Sequence, residues 1–165
     1  MRVRHIMSGV ATAATLTVLA TATPAQATEY SSALKILGVQ YNAPGTDNNS
    51  CSGGNTYKEY VTLKNYNKTS TLNLKGYVVK DAAGNKFTFK ANHYLQPGDY
   101  VRLRGGNGTD SDGGNVVYRD NCNFLWNNDK DSIKLYKPSG AGSDSHSYTA
   151  STADRDGNGY ITYHG

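Results

Sequence analysis

No apolar run in this sequence is long enough to cross a bilayer. The longest, Val10 to Ala22, holds 13 residues of Ala, Thr, Leu and Val, against the roughly 20 that a spanning helix needs. Helical periodicity is nearly absent after it. Cysteine is limited to Cys51 and Cys122. Neither stands in a Cys-x-x-Cys or Cys/His ligand spacing, so a catalytic or metal-bound thiol has no support. The Gly-x-Ser-x-Gly elbow of serine hydrolases is missing. The run Ser143-Asp144-Ser145-His146 lies in an expected strand, where side chains so close together largely point to opposite faces. Gly105-Gly106-Asn107-Gly108 has no helix after it and reads as a loop, not a phosphate cradle. His93, His146 and His164 show no metal-ligand spacing and are expected as packed or solvent-facing imidazoles.

What is present starts with a basic head carrying Arg2, Arg4 and His5, then the short apolar stretch, then Ala25-Gln26-Ala27. These are the three parts of a secretory signal peptide, with cleavage expected after Ala27. The organisation expected is a signal peptide over residues 1–27, a domain over 28–150 and a polar tail over 151–165. Cleavage would leave 138 residues, one ordinary domain. The whole chain has a formal charge of +4, but the expected mature part carries only +2. That is weak evidence for nucleic acid, which needs a concentrated basic face. The expected product is a secreted, extracellular monomer, free of the membrane after cleavage. In an oxidising compartment Cys51 and Cys122 are expected to pair. The bridge would close a loop of 72 residues, stabilising by about 4 kcal/mol in the chain-entropy account.

The mature part consists of short runs rich in Val, Tyr, Thr, Ile and Leu, separated by Gly, Asn, Asp and Pro. Strands are expected over residues 33–41, 57–65, 72–80, 86–90, 100–104, 116–119, 132–137 and 145–148. A long polar loop over 42–56 contains Cys51. Asp81 to Asn85 reads as a hairpin turn. Leu95-Gln96-Pro97-Gly98-Asp99 reads as a type II turn. Gly105 to Asn115 reads as a loop. About eight short strands with regular turn signals indicate an antiparallel sandwich or barrel.

Several of these segments resemble the lamin tail domain family. They are Glu59-Tyr60-Val61-Thr62-Leu63-Lys64-Asn65, Leu74 to Asp81, Phe87-Thr88-Phe89, Leu95 to Val101, Trp126-Asn127-Asn128-Asp129 and Asp131-Ser132-Ile133-Lys134-Leu135. They fall in the family's order across residues 33–148. The resemblance implies an all-β, immunoglobulin-like antiparallel β-sandwich with no catalytic residues of its own. It also points to bacterial relatives in secreted or surface proteins. The lamin coiled coil is missing and Thr62 stands where the family often has an acid, so nuclear roles are not carried over. Val61, Leu63, Val79, Phe87, Phe89, Val101, Leu103, Ile133 and Leu135 are the expected inward faces. Asn65 and Asp81 are expected to hold turns through their side chains.

Asp154-Arg155-Asp156-Gly157-Asn158-Gly159-Tyr160-Ile161 matches the first two-thirds of an EF-hand calcium loop. Asp154, Asp156, Asn158 and the Tyr160 carbonyl are the candidate calcium ligands. Position 12 is Gly165, whose terminal carboxylate would have to stand in for the usual Glu. The competing expectation is a polar tail with an Asn-Gly turn. Thirteen tyrosines suit strand packing or an exposed recognition patch, with Tyr57, Tyr66, Tyr77, Tyr94 and Tyr118 as candidates. Arg102 and Arg104 share a strand face, which suits an anion contact or a charge-guarded strand. The leading expectation is a non-catalytic binding or structural module contacting an extracellular protein or polysaccharide. Its rivals are calcium-dependent adhesion and a hydrolase built from distant residues such as Asp129, Asp131 and His146.

Overall fold

A computed structural model describes residues 32–51 and 53–164. The expected signal peptide with its cleavage point, and the carboxylate of Gly165, lie outside the described residues. Among the described residues, alternating apolar positions generate eleven strands: β1 (Leu34–Gln40), β2 (Tyr60–Asn65), β3 (Leu72–Asn73), β4 (Val78–Lys80), β5 (Lys86–Thr88), β6 (Tyr94–Leu95), β7 (Tyr100–Arg104), β8 (Val116–Tyr118), β9 (Lys130–Tyr136), β10 (Gly142–Thr149) and β11 (Tyr160–Thr162). A 3-10 turn over Thr56–Lys58 takes the place of the expected strand start at residue 57, and one turn of α-helix, α1 (Ala150–Ala153), follows β10. One sheet runs β11-β1-β2-β7-β8, a second runs β10-β9-β4-β5, and β3 pairs with β6. Among the described strands all pairings are antiparallel except β7 with β8. The two larger sheets form the immunoglobulin-like sandwich that the sequence implies.

The core lies between those sheets. Ile36, Val61, Leu63, Val101 and Leu103 enter it from one side, Val79, Ile133 and Leu135 from the other, and each is at most 1% exposed. Burying one such side chain stabilises by roughly 1.5–3 kcal/mol. Phe89 is buried as expected, while Phe87 packs against the core half-buried. Asn65 is fully buried. Its side-chain nitrogen reaches the carbonyls of Ser70, Leu95 and Gln96 at 2.9, 3.0 and 3.2 Å. Asp81 closes its hairpin by accepting from the Asn85 backbone and side-chain amides at 2.7 and 2.6 Å.

Two expectations are corrected. Residues 72–80 do not form one strand, because Gly76 takes φ +86°. That left-handed turn separates β3, in the small sheet, from β4, in the second. Nor do residues 151–164 form a tail apart from the domain. Ile161, 5% exposed, is apolar enough to join the core, and β11 extends the first sheet by pairing Val39 with Ile161.

Candidate functional site

Register fixes what the outer face of the first sheet displays, because directly paired residues share a face. One row runs Tyr160, Gln40, Tyr60, Arg104 and Tyr118. The next runs Thr162, Gly38, Thr62, Arg102 and Val116. A third joins Lys35, Lys64 and Tyr100. No aspartate or glutamate occupies these positions. Arg102 lies 5.2 Å from the Tyr60 ring and 5.4 Å from the Tyr100 ring, and Arg104 lies 5.1 Å from Tyr60. Among the described residues no lysine or arginine is ion-paired, every salt bridge being a His–Asp pair. The Arg102 Nε is buried without a hydrogen-bond partner. Gly38 makes room for this arrangement. A methyl group there would come within 2.5 Å of both the Ile161 carbonyl and the Tyr160 hydroxyl, so its absence lets that ring lie across the sheet.

The sandwich has two long seams where edge strands of opposite sheets meet. Along one, β5 faces β8 across a cleft of about 590 Å³, lined by Phe87, Phe89 and Tyr118 and by Lys86, Lys90 and Arg119 among others. Along the other, β10 meets β1 and the residues that follow β11. There the Asp144 carboxylate accepts from the Ile36 backbone amide at 2.8 Å and from its neighbour Ser145 at 2.9 Å. The His146 Nε2 lies 3.3 Å from Asp144, the His164 Nε2 3.4 Å from it, and the two nitrogens are 3.1 Å apart. Burial alone would raise the Asp144 pKa. The hydrogen bonds from His146, Ile36 and Ser145, with the nearby charge of His146, outweigh it and hold the carboxyl below its ordinary value.

The sequence-predicted residues fall as follows. Cys51 and Cys122 form a disulfide with their Cα atoms 5.0 Å apart, within ordinary bridge geometry. Asp154 accepts from the Gly157 and Gly159 amides at 2.9 and 2.7 Å and from the Tyr41 hydroxyl at 2.7 Å. Burial, then the bond to Asp154, push the Tyr41 hydroxyl up to about 12. Asp156 accepts from the Asn158 side chain at 2.8 Å, and Asn158 accepts from the Tyr160 amide at 2.7 Å. The turn is thus held by its own side chains. Of the tyrosines singled out, Tyr57, Tyr66 and Tyr94 are exposed, whereas Tyr77 and Tyr118 are half-buried.

The three residues of the hydrolase rival are employed separately. Asp131 accepts from the backbone amides of Ala82, Asn127 and Ser132 and from the Asn127 side chain, at 2.7–3.1 Å. His146 turns to Asp144 and His164. Asp129 contributes its backbone carbonyl to the amide of Ala150.

A buried carboxyl group explains why two separate sequence segments occur together. Glu59, 1% exposed, accepts from the Leu125 and Trp126 amides at 2.7 and 3.2 Å. It ties the start of β2 to the crossing between the sheets. The profile of the Lamin Tail Domain family matches residues 27–150. The chain belongs to the lamin tail domain family. It is a non-enzymatic, immunoglobulin-like family. No curated protein matches the chain.

In this lamin tail domain the quoted motif residues are mostly scaffold: Glu59, Asn65, Asp81 and Asp131 satisfy backbone groups. The residues sequence reasoning missed are Asp144, His146 and His164 as a group. Strand alternation puts Asp144 and His146 on one face, which was a usable signal. The arrival of His164 depends on β11 pairing with β1, and β11 lies beyond the family match.

Proposed function

We propose that this lamin tail domain is an exported, monomeric, non-catalytic binding module, and that it engages an acidic extracellular polymer through the outer face of its first sheet. One observation carries the reading. Lys35, Lys64, Arg102 and Arg104 share that face with Tyr60, Tyr100 and Tyr160, and among the described residues no carboxylate pairs with them. Cations held against aromatic rings keep their geometry without an acid partner and remain available to carboxylate or phosphate groups. Tyrosine rings beside them suit the apolar faces of sugars. The amino-terminal signal pattern and the disulfide support work outside the cytoplasm.

The test is binding of the chain lacking residues 1–27 to immobilised polygalacturonate, with neutral dextran and a DNA duplex as comparison surfaces. Polygalacturonate should be retained and released by salt. The Arg102→Gln/Arg104→Gln variant should bind about tenfold more weakly, equivalent to about 1.4 kcal/mol. Equal retention on dextran, or an unaffected variant, rejects the acidic-polymer reading. A second reading, calcium-dependent adhesion, draws on the gathering of Asp154, Asp156 and Asn158 in one turn. Retention that requires calcium and is lost in Asp156→Ala would favour it.

A further inference from the structure

We propose that Asp144, His146 and His164 form a binding site for a divalent first-row transition metal, zinc being the ion their geometry fits. This inference does not depend on the polymer-binding reading. Donor atoms about 2.0–2.1 Å from a tetrahedral zinc stand about 3.3 Å from one another. The three donor pairs here are separated by 3.1, 3.3 and 3.4 Å, so the side chains already outline one face of such a tetrahedron. Hydrogen bonding does not account for the triangle as well. A hydrogen bond between the imidazoles leaves the carboxylate without a proton from either, and donation from both to the carboxylate sets two N–H groups only 3.1 Å apart, whereas a central cation faces a lone pair from each of the three.

The surroundings hold the donors in place. The Ile36 and Ser145 amides fix the carboxylate. The Tyr163 ring stacks on His146 with centroids 4.2 Å apart and planes 11° apart. The Tyr66 hydroxyl donates to the His164 carbonyl at 3.1 Å. Supporting contacts of this kind orient the ligands of metal sites. The side chains of His146, Asp144 and His164 are 23%, 12% and 24% exposed. They are sheltered but reachable, which leaves a fourth position for water or a partner's donor. Two imidazoles with one carboxylate favour zinc, copper or nickel, whereas calcium and magnesium take oxygen ligands. The bound ion would staple β10 to the segment following β11 and so close the seam between the sheets.

Tag-free protein, stripped with a chelator, is titrated with zinc sulfate by calorimetry. It is titrated separately with cobalt chloride by visible absorption. The proposal expects one ion per chain, the intense visible bands of tetrahedral cobalt and a melting temperature several degrees higher with zinc. His164→Gln, which alters a residue outside the core, should keep the wild-type circular dichroism and bind at least about tenfold more weakly. His146→Gln should do the same. Absence of zinc binding by the wild-type chain overturns the proposal, and so does unchanged affinity in a folded His164→Gln variant. If His146→Gln fails to fold, His164→Gln alone decides.

Discussion

The two seams of the sandwich are built differently. Between β5 and β8 the sheets part over a cleft floored by Phe87 and Phe89, whose rings meet edge-on at 5.0 Å. Between β10 and the β1–β11 pair they are stitched by polar groups, including the Ser143 hydroxyl, which donates to the Leu34 carbonyl at 3.0 Å. The contrast shows that one edge of a sandwich can stand open as a cleft while the other is closed by satisfied hydrogen bonds. The second arrangement is directional, so it can assemble a chemical site, and it is the more sensitive to losing a single atom.

The largest expected effect lies beside the open seam. The disulfide anchors the chain just past β8 to the loop before β2. Cys51→Ser/Cys122→Ser should lower stability by about 4 kcal/mol, read as a lower urea midpoint. An unchanged midpoint would mean that the bridge contributes nothing to that side.

The next effect concerns the crossing between the sheets. Burial pushes the Glu59 carboxyl up to about 8, although the Leu125 and Trp126 amides pull the other way. The native state therefore holds this proton more tightly than the unfolded chain. That contribution is full below the ordinary glutamate range and is lost as pH rises through about 8. Thermal stability should fall between pH 5 and pH 8 by an amount on the order of 3 kcal/mol. In Glu59→Gln the slope over that window should vanish. A wild-type curve that is already flat would show that the two amides outweigh burial.

The smallest effect compares the seams directly. Asp144→Asn at the stitched seam should cost about 1–3 kcal/mol, whereas Lys90→Ala on the cleft rim should stay within about 0.5 kcal/mol. The Asp144 carboxyl is held below its ordinary value. Its contribution is present above the ordinary aspartate range and is lost as pH falls through the lowered one. Denaturant titrations of both variants at neutral and acid pH measure the contrast, and equal costs would erase the distinction between the seams.

Much of the fold was legible because two-residue alternation is a local signal. Strand β7 has the bounds its sequence indicates, and the turn roles of Asn65 and Asp81 follow from side chains that reach their own neighbourhood. Legibility failed where a distant partner decides the outcome. Gly76 divides an apparently continuous strand because its two halves join different sheets. Three residues, Tyr160–Thr162, become a strand only because the edge of β1 is free to receive them. The His164 imidazole meets His146 through that same pairing. The spacing between two histidines says nothing about such a meeting when a loop and a sheet edge bring them together. The outer cationic face was half legible. The shared face of Arg102 and Arg104 follows from alternation, but Tyr60 and Tyr118 on either side of Arg104 follow from register.

The disulfide also divides the chain mechanically. It encloses β2 through β8 in a covalent ring, while β1 on one side and β9 to β11 on the other are open arms. Tension applied at the two ends would be carried across the bridge instead of through the ring. The arms could peel from β2 and β4, their pairing partners inside the ring. Extension would then halt with roughly half the residues still shielded from the load, until a reductant opened the loop.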